Sequence, residues 1–183
     1  MRVIAGKHKS KSLETLEGRN TRPTMDKVKE GIFNSLQNID GLGLDLFGGS
    51  GSLGIEALSR GMEKVIFVDQ NSRAVKVIHN NLQRLGLESQ AEVYRNNADR
   101  ALKALSKREI QFDIIFLDPP YEKGLIDKAL EQIHAFDLLK NNGIIVCEFS
   151  HREDIKTAPF QEVKRYHYGL TDTCILRKEE SHG

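Results

Sequence analysis

Apolar residues follow two alternating rhythms along this chain. Short runs in which nearly every position is apolar, at 43–47, 64–68, 91–94, 110–117 and 143–149, have the length and branched content of buried strands. Between them, apolar residues recur every three or four positions at about 52–60, 72–85, 98–106 and 125–136, as amphipathic helices require. In the second of these helices Ala74, Val75, Ile78 and Leu82 are expected to face inward. Fully apolar strands alternating with helices predict a parallel sheet covered on both faces. Two further strands, 162–168 and 171–177, meet through Gly169 and predict an antiparallel pair that closes the sheet. Upstream, residues 2–5 and about 11–16 read as a small hairpin around the turn Gly6–Ser10. A helix capped by Thr24 then runs to about Asn38, with Val28, Ile32, Leu36 and Ile39 at helical spacing.

Composition adds limits. With 183 residues, 39% apolar and 29% charged, the chain suits one water-soluble domain with a small extension. No run approaches the roughly 20 apolar residues that span a bilayer, and the opening residues lack a signal-peptide core, so a cytoplasmic protein without a membrane partner is expected. Cys147 and Cys174 form no CxxC and read as buried thiols; the six histidines show no ligand spacing along the chain, so no metal is expected. Charge is uneven. Residues 1–29 hold eight basic and three acidic side chains, a net of +5 in a chain whose total is +1. A basic head on an acidic body suggests an anionic partner gripped at one end, although a solvated lysine-rich hairpin explains the charge equally well.

The chemistry gathers at strand ends. Asp118-Pro119-Pro120-Tyr121 follows the fourth strand. Two prolines stiffen the loop and withhold two amide donors, leaving carbonyls and a carboxylate as an acceptor array suited to an –NH2 group. Tyr121 offers a face on which a base can stack, worth about 1–3 kcal/mol. The plain alternative is a strand-ending turn. After the first strand, the run from Asp45 through Phe47, Gly48, Gly49 and Gly51 to Gly54 lets backbone approach a ligand before a helix N-terminus. Asp69 at the end of the second strand suits a ribose diol, and Asn97 with Ala98 after the third suits an adenine edge. Each has a structural alternative, a tight turn for the glycines and a helix cap for Asp69 or Asn97. Gly49-x-Gly51-x-x-Gly54 also fits a nicotinamide dinucleotide, which keeps an oxidoreductase as a rival, but such an enzyme has no use for Asp118–Tyr121.

Taken in order, Arg2–Lys7, Arg22–Glu30, Phe33-Asn34, Asp45–Gly61 and Asp118–Tyr121 resemble the signatures of the bacterial small-subunit rRNA guanine-N2 methyltransferases over essentially the whole chain. The resemblance implies a Rossmann-like class I methyltransferase with a mostly parallel seven-stranded sheet and an antiparallel last strand. It implies S-adenosylmethionine as cofactor, held by Asp45, Phe47, Gly48, Gly49, Gly51, Asp69, Asn97 and Ala98. Asp118 and Pro119 would accept the guanine amine and Tyr121 would stack on the base. Arg2, Lys7, Lys9, Lys11, Arg22 and Thr24 would meet 16S rRNA in the small ribosomal subunit. Residues 1–40 would then be an RNA-contacting extension and 41–183 the methyltransferase domain. Adenine-N6, cytosine-N4 and protein glutamine-N5 methyltransferases use related loops and stay open, as does a non-catalytic RNA-binding protein on the same fold.

Overall fold

The computed structural model describes residues 1–16, 23–120 and 124–179, with the backbone alone at 23–25. In chain order the elements are α1 (Pro23–Leu36), β1 (Leu42–Leu46), α2 (Ser52–Ser59), β2 (Lys64–Asp69), α3 (Ser72–Leu85) and β3 (Ala91–Arg95). They continue with α4 (Ala98–Lys107), β4 (Phe112–Leu117), α5 (Leu125–Ala135), β5 (Leu139–Ser150), β6 (Gln161–Tyr168) and β7 (Thr171–Arg177). The strands form one sheet in the order β3-β2-β1-β4-β5-β7-β6. The first five pair in parallel, and β7 runs antiparallel to both of its neighbours. This is the expected α/β class with a reversed last strand.

Strand side chains alternate between two apolar layers. Leu44, Leu46, Ile66, Ile115, Leu117 and Ile145 face α4 and α5. Val65, Phe67, Ile114, Phe116 and Val146 face α1, α2 and α3. Val3 and Leu13 of the N-terminal segment join that second layer, so the extension shares a core with the sheet. Strand order reverses between β1 and β4, and a doubly wound sheet opens its ligand crevice beyond the carboxyl ends of the strands at such a point.

Four local expectations need correction. The helix α1 begins at Pro23, so Thr24 lies inside its first turn rather than ahead of it; proline suits this place because the first helical amide has no intrahelical partner. In α3 it is Val77, not Val75, that is buried, because the inward stripe includes the polar Asn81 and so runs one position off the apolar pattern. β5 begins at Leu139, earlier than its apolar run, since Leu139 pairs with Phe112 ahead of a bulge. The N-terminal hairpin keeps only one bridge, Arg2 to Ser12. Its ladder stops there because the amides of Ile4 and Ala5 turn instead to the Glu56 carboxylate, at 2.8 and 3.1 Å. Among the described residues, no helix is long and apolar enough to cross a membrane.

Candidate active site

The glycine turn after β1 is a left-handed stretch pinned from below. Phe47, Gly49 and Gly51 have φ of 65°, 61° and 82°, conformations that cost a side-chain-bearing residue and come freely to glycine. The Gly48 amide donates to Val68 O and the Gly51 amide to Gly48 O, both at 2.8 Å. Asp45, fully buried, accepts the Gly54 amide at 3.0 Å and so ties β1 to the first turn of α2. Asp69 accepts the Gly49 amide on one oxygen and the Asn71 amide on the other, both at 2.9 Å. Its carboxylate therefore shapes the turn, and Asn71, not Asp69, caps α3. Asn81 of α3 donates to Ser50 O at 2.9 Å, holding the turn from a third side.

Register places a row of carboxyls above this floor. Asp45 lies level with Phe67 and Phe116, on the face toward α1–α3. Asp69 follows Phe67 by two residues, Asp118 follows Phe116 by two, and Glu148 follows Val146, the partner of Phe116, by two. Alternation puts Asp45, Asp69 and Glu148 on the same face, and continued one residue past the end of β4 it puts Asp118 there as well. Electrostatics agree with that placement. Burial, reinforced by Asp118 and Asp69 and opposed by the Gly54 amide, pushes the Asp45 carboxyl well up from the ordinary carboxylate range. Burial, the charge of Asp118, a hydrogen bond to Asp118 and the charge of Asp45 do the same to Glu148. The Asp-Pro-Pro corner thus faces the glycine turn. Pro119 is buried and Pro120 exposed at the rim.

Other expected site residues are placed as follows. Ala98 opens α4, and Asn97 caps it by accepting the Arg100 amide at 2.8 Å, so the cap reading of Asn97 is realised. Tyr121 and Arg22 lie outside the described residues, as does the side chain of Thr24. Arg2, Lys7, Lys9 and Lys11 are exposed on a turn bolted to α2. Lys7 N donates to Ser59 O at 2.8 Å, and His8 N donates to Ser59 Oγ at 2.9 Å. Cys147 and Cys174 are buried free thiols facing each other across β5 and β7.

Several polar groups that frame the site went unread in the sequence. Glu56, fully buried on α2, gathers Ile4 N, Ala5 N, Arg60 Nε at 2.8 Å and Lys29 Nζ at 3.4 Å. Lys29 also reaches Arg2 O at 2.7 Å and Ser52 Oγ at 3.0 Å. Burial lowers the Lys29 pKa, and Glu56 and Asp26 oppose that shift. Polar residues on the inward stripe of an amphipathic helix were the available signal for Glu56 and Asn81; Glu148 in an otherwise apolar strand was another. The histidines that show no ligand spacing along the chain do meet in space: among the described residues His151, His167 and Asp172 bring ligand atoms within 4.8 Å of one another. There His167 Nδ1 lies 2.6 Å from Asp172 Oδ1 at the exposed end of the β6–β7 pair. A shallow hollow lined by Ile133, His134, Pro159 and Phe160 sits at the opposite end of β5 and holds none of the site residues.

The donor set decides between the two cofactors that the glycine pattern admits. A dinucleotide pyrophosphate needs free amides at the helix N-terminus, and here Asp45 already takes the Gly54 amide while acidic groups line the floor. That floor repels a pyrophosphate and suits a cation bearing a ribose diol, which is the chemistry of S-adenosylmethionine. Sheet order, the reversed β7 and this acidic floor define a class I methyltransferase. The chain belongs to the family described as Conserved hypothetical protein 95, which matches residues 1–177. It is 46% identical to YlbH of Bacillus subtilis over 182 residues, which span 97% of this chain and 99% of that protein. It is 38% identical to ribosomal RNA small subunit methyltransferase D of Haemophilus influenzae over 151 residues, 81% of this chain and 78% of the relative. Among solved structures, yhhF of Escherichia coli superposes with a TM-score of 0.84 at 26% identity, covering 99% of both chains.

Proposed function

We propose that the chain transfers a methyl group from S-adenosylmethionine to the exocyclic N2 amine of a guanine in 16S rRNA of the small ribosomal subunit. The observation that carries this reading is the register of β1 and β4, which sets the Asp118 corner two residues past the partner of Asp45, next to the glycine turn. The similarity to small subunit methyltransferase D supports the RNA substrate. Residues 1–40 serve as the RNA-contacting extension and 41–183 as the methyltransferase domain, working in the cytoplasm.

When bound, S-adenosylmethionine supplies an electrophilic methyl carbon on a sulfonium. Asp45 and the Phe47–Gly51 turn hold its methionine end, Asp69 the ribose hydroxyls, and Asn97 with Ala98 the adenine. Asp69 keeps lone pairs for this, because each carboxylate oxygen can accept more than the single loop amide it has now. Asp118 and the Pro119 carbonyl accept the two amine hydrogens, which aims the nitrogen lone pair at the methyl. A conjugated amine is a weak nucleophile, so this orientation supplies much of the rate. Tyr121 stacks on the base, which leaves its helix to reach the corner. Arg2, Lys7, Lys9, Lys11, Arg22 and Thr24 hold RNA phosphates without reading sequence.

The test is transfer of labelled methyl to unmodified small subunits, followed by nucleoside mass spectrometry. N2-methylguanosine is the expected product. Methylated adenine or cytosine instead would overturn the guanine assignment. Asp118→Ala is expected to abolish transfer while leaving cofactor affinity within a few fold.

A further inference from the structure

Glu148 is the acidic group at this site that the proposed reaction leaves without a task. It stands on β5 beside the Asp-Pro-Pro corner, in the strand position after Cys147, which pairs with Leu117. The register sets its carboxyl beside that of Asp118, and burial, the Asp118 charge and a hydrogen bond between the two hold the Glu148 carboxyl well up from its ordinary range. Two carboxylates cannot bond to each other unless one carries a proton. Among the described residues, the charged groups that act on Glu148 are acidic: Asp118 just past the end of β4 and Asp45 of β1, while Asp69 of β2 acts on Asp45 in turn. On α1, the Lys29 ammonium is committed to Glu56, Ser52 and Arg2. Across β7, Thr173 lies directly opposite Glu148, and its hydroxyl is buried with no hydrogen-bond partner among the described residues.

We infer that Asp118 and Glu148 work as one carboxyl pair that shares a proton, releases it when a sulfonium occupies the glycine turn, and regains a proton from the substrate amine as the methyl transfers. Glu148 is the positioning member. It holds one oxygen of Asp118 and leaves the other for the base. The inference rests on the cofactor reading above. The balance closes over one turnover. A sulfonium and an amine become a thioether, an N-methyl amine and one proton. The nitrogen–carbon bond forms, the sulfur–carbon pair stays on sulfur, and the amine proton passes to Asp118. The pair, emptied when the cation bound, returns to its starting state, so the proton that appears in solvent leaves at cofactor binding and not at transfer. A neutral thioether gives the pair no reason to ionise.

Calorimetry of S-adenosylmethionine and of S-adenosylhomocysteine, each in two buffers of different ionisation heat at one pH, counts the protons released. The expected result is release of a sizeable fraction of one proton with the sulfonium, and about none with the thioether, by linkage between charge and protonation. Glu148→Gln is expected to bind both with little linked release. Equal counts for the two ligands in the wild type, or undiminished release in Glu148→Gln, would overturn the shared-proton pair while the cofactor reading stands. Failure of both ligands to bind would overturn the cofactor reading and the pair with it. Should the variant not fold, the wild-type comparison decides alone.

Discussion

Ile4 N donates to Glu56 Oε1 at 2.8 Å, joining residues 52 positions apart and fixing the basic N-terminal turn to the helix that follows the glycine turn. Glu56 has no solvent exposure and holds two amides, Arg60 and Lys29. Removing one member of a buried charged group leaves the others uncompensated. Glu56→Ala is therefore expected to cost about 3–5 kcal/mol of stability, measured as a lower urea midpoint. The loss should exceed that of Arg60→Ala, because Arg60 is partly open to water and Lys29 would keep its carboxylate.

Gly54 tests how tightly the turn is packed. A Cβ there would lie 2.3 Å from Phe67 Cε1, and Phe67 is fully buried with no room to retreat. Overpacking of this kind costs about 1–3 kcal/mol, and relief requires the start of α2 to move. That movement stretches the Asp45 bond to Gly54. Gly54→Ala should therefore weaken S-adenosylmethionine binding by calorimetry as well as lower the denaturation midpoint. Gly86→Ala, which meets no atom within 4 Å, should leave cofactor affinity unchanged despite its positive φ.

What the sequence made legible follows from periodicity and from strand ends. The strands of a doubly wound sheet are apolar throughout, so β1, β2 and β4 announce themselves, and their carboxyl ends carry Asp45, Asp69 and Asp118 in plain view. Groups that act across long separations were hidden. Asn81 accepts the Glu14 amide at 2.7 Å and donates to Glu14 O and Ser50 O at 3.0 and 2.9 Å, yet in sequence it is one polar residue in a polar helix. The two strands expected at the N-terminus shrink to one bridge because the amides of Ile4 and Ala5 go to a carboxylate some fifty residues away. Glu148 was concealed by its neighbours, since one acidic residue in the apolar run Gly143–Phe149 does not alter its strand pattern. Its place beside Asp118 appears only once β4 and β5 are paired.

Acid sensitivity should trace to the sheet edge. Glu92 of β3 accepts from Arg108 at 2.9 and 3.3 Å and pairs with Lys64 at 2.6 Å. Arg108, against a smaller burial penalty and helped by Lys64 and Tyr94, lowers the Glu92 carboxyl from 4.5 to about 2. A depressed folded-state pKa contributes stability that is present above pH 4.5 and is lost as pH falls through about 2. Glu92→Gln should accordingly lose less stability than the wild type between those limits, read from urea midpoints across the range. At pH 7 the difference should shrink in high salt, because Arg108 and Lys64 are partly exposed.

The basic turn offers the sharpest separation of RNA binding from chemistry. Lys7, Lys9 and Lys11 are exposed, and the turn's backbone is held by Ser59 rather than by these side chains. Replacing all three with glutamine should leave the fold and cofactor affinity intact. If each meets a phosphate, the slope of log affinity against log salt should fall by about 2, using the single-strand coefficient of roughly 0.7 per contact. Because phosphate contacts position without specifying, the nucleoside product should be unchanged and only the RNA concentration for half-maximal rate should rise. Filter binding across a salt series, run beside the methyl-transfer assay, reads both quantities. An unaltered slope would make the turn a structural clasp on α2 and move the RNA contact to another part of the rim around Asp118.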